Sequence, residues 1–64
     1  MVYVMLQGSR VRGVFDSVWL ARVFFSDTTG VALGEIEEFE CFTGHVLLRV
    51  SGYTQARLVP TTYR

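Results

Sequence analysis

A thiol and an imidazole stand four residues apart at Cys41 and His45, on either side of Thr43-Gly44. If Thr43-Gly44 turns a hairpin, the two side chains approach each other across it, and a thiolate–imidazole pair is a nucleophile in several enzyme families. That chemistry also needs a group to orient the imidazole and donors for an oxyanion. No residue in such a role stands nearby, and a chain of 64 residues leaves little volume for a pocket. The expectation is therefore a non-enzymatic protein with no small-molecule substrate, Cys41 being a small core residue and His45 a solvated turn residue. One Cys and one His fall short of the four ligands of a structural zinc site, so no metal and no cofactor is expected.

Carboxylates are concentrated at Glu35, Glu37, Glu38 and Glu40. In an extended strand alternate side chains point to opposite faces, which disperses the charge a Ca2+ or Mg2+ ion would need, and EF-hand spacing is absent. Glu residues on an edge strand discourage unwanted sheet pairing. The same four also suit an acidic patch that docks on a basic protein surface or mimics phosphate charge. Burying four carboxylates without matching bases would be prohibitive, so they are expected to be exposed, with Arg49 and Arg57 as candidate partners.

The bases are all arginine: Arg10, Arg12, Arg22, Arg49, Arg57 and Arg64. Formal net charge is zero, which argues against a nucleic-acid footprint built on charge. Arg10 and Arg12 with Tyr3, Trp19 and Tyr53 nonetheless define an alternative, a stacking platform for single-stranded nucleic acid. No aromatic–basic strand motif of the RNA-binding kind accompanies them, and the four Glu would oppose phosphate.

These residues need a scaffold. Half the chain is apolar, which excludes disorder and fits one domain over residues 1–64. A single cysteine excludes an internal disulfide and fits a reducing compartment. The apolar run Val2 to Leu6 is too short for a signal peptide, and no segment has the length of a membrane span. The expectation is a cytoplasmic protein without membrane contact.

Periodicity and turn residues predict an α+β fold, a small antiparallel sheet (β-β-α-β-β with a possible fifth strand) packed on one helix. Strands are expected near 2–7, 10–15, 35–42, 45–51 and 53–59, with a helix near 17–26 and a loose tail over 61–64. Gly8-Ser9 reads as a tight turn. Arg10, Arg12 and Val14 are expected on one face of the second strand, and Val11, Gly13 and Phe15 on the other. Gly13 suits a bulge or close packing beneath the helix. Asp16 is the expected N-cap, with Phe15 and Leu20 as a hydrophobic staple. Ile36, Phe39 and Cys41 are read as inward-facing, and their change of phase predicts a bulge near Glu37-Glu38.

The helix carries the main functional signal. In Val18-Trp19-Leu20-Ala21-Arg22-Val23-Phe24-Phe25 only Arg22 is charged, whereas a surface helix normally has one polar face. With Leu20, Ala21 and Phe24 on the sheet, Val18, Trp19, Arg22 and Val23 turn away from it. Two arrangements follow: a partner covers this face, or the C-terminal hairpin folds back and buries Trp19 within one chain. The candidate protein-binding set is therefore Val18, Trp19, Arg22 and Val23, together with Glu35, Glu37, Glu38 and Glu40.

Val2-Tyr3-Val4, Gly13-Val14-Phe15-Asp16-Ser17, Ala21, Phe24 and Ile36-Glu37-Glu38-Phe39-Glu40-Cys41 together resemble a family of small phage and bacterial proteins of uncharacterised function, over residues 2–42. That family has a Val-Tyr-x-Val strand, a Gly-Val-aromatic entry to a capped helix and an Ile-x-x-aromatic-x-Leu strand. The resemblance implies a β-β-α-β core and no activity. Two departures matter: helix positions that are usually Glu or Lys there are Val18, Trp19 and Val23 here, and a further hairpin follows Cys41. The expected function is a protein–protein interaction module, phage-encoded by that resemblance. It would bind a host protein or assembly, a host RNA polymerase inhibitor being one concrete version, or a second copy of itself as a homodimer. A self-assembling structural or accessory protein is a further alternative.

Overall fold

The computed structural model of the chain describes residues 1–50 and 54–62. Strand β1 (Val2–Gln7) turns at Gly8-Ser9 into β2 (Arg10–Phe15), with Gly8 supplying the positive φ of 65° that the turn requires. Helix α1 (Val18–Thr29) and a short 3-10 turn (Leu33–Glu35) lead to β3 (Glu37–Phe42), β4 (His45–Arg49) and β5 (Gln55–Thr61). The strands form one five-stranded antiparallel sheet in the order β2-β1-β5-β4-β3. The α+β class read from the sequence is the observed one, and the fifth strand is present.

The last strand is the middle one. β5 pairs with β1 on one side and β4 on the other, so the C-terminal hairpin enters the sheet instead of folding over the helix. A final strand expected over 53–59 and ended by Pro60 is corrected to Gln55–Thr61. β4 pairs only with Gln55 through Leu58, so beyond Leu58 the strand is bonded on the β1 side alone and tolerates the proline that lacks an N–H. Thr61, expected in the loose tail, pairs with Val2. Tyr53, Tyr63 and Arg64, together with Ser51 and Gly52, lie outside the described residues.

Helix α1 starts one residue later and ends three residues later than the expected 17–26. Ser17, not Asp16, is the N-cap: its backbone is extended and its Oγ accepts the Leu20 N–H at 3.2 Å. That one-residue shift undoes the staple. Leu20 stands 48% exposed, and Phe15 packs instead on Phe24, ring centroids 5.2 Å apart. The polar residues after Phe25 continue the helix to Thr29. Thr29 Oγ1 donates to the Phe25 carbonyl at 2.7 Å, and Ser26 Oγ donates to the Val31 carbonyl at 2.6 Å. Gly30, at φ 74°, closes the helix by donating its N–H to the Ser26 carbonyl.

Between β2 and β3 the chain must cross from one sheet edge to the other, four strand spacings or about 19 Å. A twelve-residue α1, about 18 Å long, provides most of that span and covers one face as it does so. The core lies there: Met5, Leu48, Ala56 and Leu58 from the sheet meet Ala21 and Phe25 from the helix and Ile36 from the end of the 3-10 turn. Ile36 therefore precedes β3 instead of belonging to it, and the turn, not a bulge at Glu37-Glu38, absorbs the change of phase. The β3 irregularity sits between Glu40 and Phe42.

A second register shift makes Val11 the partner of Leu6, while Gly13 pairs with Met5 and Val14 with Val4. Arg12 is the extra residue. Val11 and Val14 consequently share the face away from the helix, correcting the split expected for β2. Gly13 keeps its place under the helix side, where the Phe15 ring lies across it.

Candidate functional site

Helix geometry puts Ala21 and Phe25 on the sheet and turns Trp19, Leu20 and Val23 outward. Trp19 is 58% exposed, Leu20 48% and Val23 39%, a continuous apolar stripe on the outer side of α1. Exposed Asp16 and Asp27 stand at its two ends. Trp19 and Val23 thus turn outward as expected, and Leu20 joins them. Val18 does not: it packs against the core.

Arg22 also leaves the outward set. Its Nη2 donates to the Leu33 carbonyl at 2.8 Å and to the Ile36 carbonyl at 3.1 Å, and Nη1 donates to Glu38 Oε1 at 2.9 Å. Its Nε is buried without a partner among the described residues. Arg22 therefore ties the helix to the 3-10 turn and to β3, and the outer face of α1 keeps its acids without a base. That role was hidden because its partners lie 11 to 16 residues away in sequence.

Glu35, Glu37, Glu38 and Glu40 are all exposed, as expected of unburied carboxylates. They form no single acidic patch. Glu38 is bonded to Arg22, Glu37 accepts from Arg49 at 3.3 Å, and Glu40 Oε2 accepts the Gly44 N–H at 3.2 Å in the turn. β3 is an edge strand with every residue exposed, so Phe39 and Cys41 are not inward-facing.

Cys41 and His45 do not assemble a nucleophile. Cys41 Sγ lies 3.9 Å from the His45 backbone carbonyl, while the imidazole packs edge-on against Phe42, ring centroids 5.2 Å apart. Among the described residues no three His, Cys, Asp or Glu side chains come together as a metal would need, and no helix is long and apolar enough to cross a membrane.

The alternative nucleic-acid platform is also dispersed. Tyr3 is half-buried against the core, Trp19 is on the outer side of the helix, and Arg10 and Arg12 sit on the β2 edge. Tyr53 lies outside the described residues.

One surface was not foreseen. Alternation directs Val4, Leu6, Val11, Val14, Leu47, Phe39 and Val59 to the sheet face that α1 does not cover. None of them is buried; Val11 and Val14 are about 60% exposed. Cross-strand pairs set Arg57 between Leu6 and Leu47, beside a depression of about 270 Å3 lined by Leu6, Gly8, Leu47, Gln55, Ala56 and Arg57. On the β3 side Arg49 lies over the Phe39 ring at 4.8 Å. The alternating apolar residues were visible in the sequence, but which face the single helix covers was not. No protein-family model, curated protein or solved structure matches this chain.

Proposed function

We propose that this chain is a non-enzymatic protein–protein interaction module that uses the outer face of α1 as its contact surface. The observation that supports this reading is the exposed stripe Trp19, Leu20 and Val23, apolar where a surface helix of a small domain is ordinarily polar. Trp offers a large rigid area with a polar N–H and is a preferred interface anchor. Because β5 occupies the middle of the sheet, no segment among the described residues lies over Trp19. The phage resemblance suggests a host protein or assembly as the target, met in the host cytoplasm.

Affinity capture from host lysate with the wild-type chain and with Trp19→Glu tests this. A protein retained by the wild type and lost with the folded variant is the expected result. Equal capture by both would move the contact surface away from α1.

A further inference from the structure

We propose that copies of this chain associate head to tail, the outer face of α1 in one copy seating on the open sheet face of the next. This rests on reading the outer face of α1 as a protein contact, and it names a second copy as an occupant.

The two surfaces lie on opposite sides of a two-layer domain, because α1 covers one sheet face and presents its own outer side away from it. They cannot meet within one chain. Between copies they are matched in charge. The helix stripe carries Asp16 and Asp27 and no base, since Arg22 is turned inward onto Glu38. The open face carries Arg57, which has no carboxylate partner among the described residues, whereas Arg49 is already offset by Glu37.

Asp27 strengthens the case. It lies in the last turn of α1, where the C-terminal end of the helix dipole disfavours an acid, and no base stands in that turn. A cation from the next copy offsets that repulsion.

Symmetric alternatives place like charges together. Pairing α1 with α1 about a two-fold axis brings Asp16 and Asp27 of one copy to those of the other. Pairing sheet with sheet brings two Arg57 side chains together, because Arg57 is on the middle strand. The head-to-tail contact joins unlike charges. It also repeats the packing of the core, a helix about 18 Å long across a sheet about 19 Å wide. The depression beside Arg57 gives the Trp19 indole a seat.

A head-to-tail contact predicts complementation that no symmetric dimer shows. Sedimentation and light scattering of the wild type, from micromolar to millimolar concentration, should show mass rising past the dimer without a plateau. Trp19→Glu removes one face and Arg57→Glu the other, so each alone should remain monomeric, with association weakened by roughly ten-fold or more. Mixed, they should form a one-to-one complex and nothing larger. A monomeric wild type, or a single variant that still dimerises, would overturn the proposal. So would a mixture that stays monomeric. Circular dichroism checks that both variants fold; if Arg57→Glu does not, Val14→Glu, on the same face and well exposed, takes its place. A monomeric wild type that still loses a host protein on Trp19→Glu would sink head-to-tail assembly and leave the proposed function standing.

Discussion

Arg22 and Glu38, 16 residues apart in sequence, meet at 2.9 Å and join the helix to the edge strand β3. The carboxylate is the lesser part of this clamp. Both groups keep contact with solvent, with side chains 24% and 39% exposed, which limits the ion pair to less than about 1 kcal/mol. The bonds to the Leu33 and Ile36 carbonyls are part-buried, and losing them leaves two acceptors to be satisfied elsewhere. Arg22→Ala should therefore lower stability by about 2 kcal/mol, near 10 °C in Tm, while Glu38→Gln shifts it by less than half as much. Comparable small losses in thermal melts would mean that the carbonyl bonds contribute little.

The cap assignment separates two adjacent residues. Ser17→Ala removes the acceptor of the Leu20 N–H and should cost about 1 kcal/mol. Asp16→Ala, exposed and outside the helix, should change stability by less than about 0.5 kcal/mol. Urea denaturation of the two variants decides it, and the reverse order would restore Asp16 as the cap.

Gly13 and Gly34 should respond in opposite directions to alanine. A Cβ at Gly13 would lie 3.0 Å from the Phe15 ring, which is itself held against Phe24. Gly13→Ala should therefore destabilise by about 1–3 kcal/mol through displacement of that ring pair. Nothing lies within 4 Å of a Cβ at Gly34, so Gly34→Ala should be neutral or stabilising by up to about 1 kcal/mol through reduced freedom of the unfolded chain. Denaturation midpoints measured in one buffer give the comparison.

Cys41 is exposed, and the nearest atom of His45 to accept from its thiol is a backbone oxygen. A thiol reagent should titrate Cys41 in the native protein, and His45→Ala should leave the alkylation rate unchanged across the pH range. A rate that falls when the imidazole is removed would show that the ring assists the thiol.

Local patterns in the sequence determined the types of the strands and of α1, and their bounds to within three residues. Gly8-Ser9 and Thr43-Gly44 specify turns, the β-branched and aromatic runs on either side specify strands, and the Ser17-to-Gly30 segment contains a helix. These are short-range properties, fixed by backbone sterics and by hydrogen bonds that reach a few residues. The outward stance of Trp19 and Val23 was legible for the same reason, since helical spacing alone turns them from Ala21 and Phe25.

Only the tertiary structure decided the rest. Placing β5 between β1 and β4 is a long-range choice that leaves Trp19 uncovered and admits Pro60. Arg22 looked like a surface cation until the 3-10 turn brought two carbonyls and Glu38 to it. A bulge at Arg12 moved Val11 to the face of Val14, because one extra residue reverses the alternation beyond it. Above all, one helix can cover only one face of a five-stranded sheet. Which of two alternating apolar sets became core and which became surface was settled by the side of the sheet on which α1 crossed.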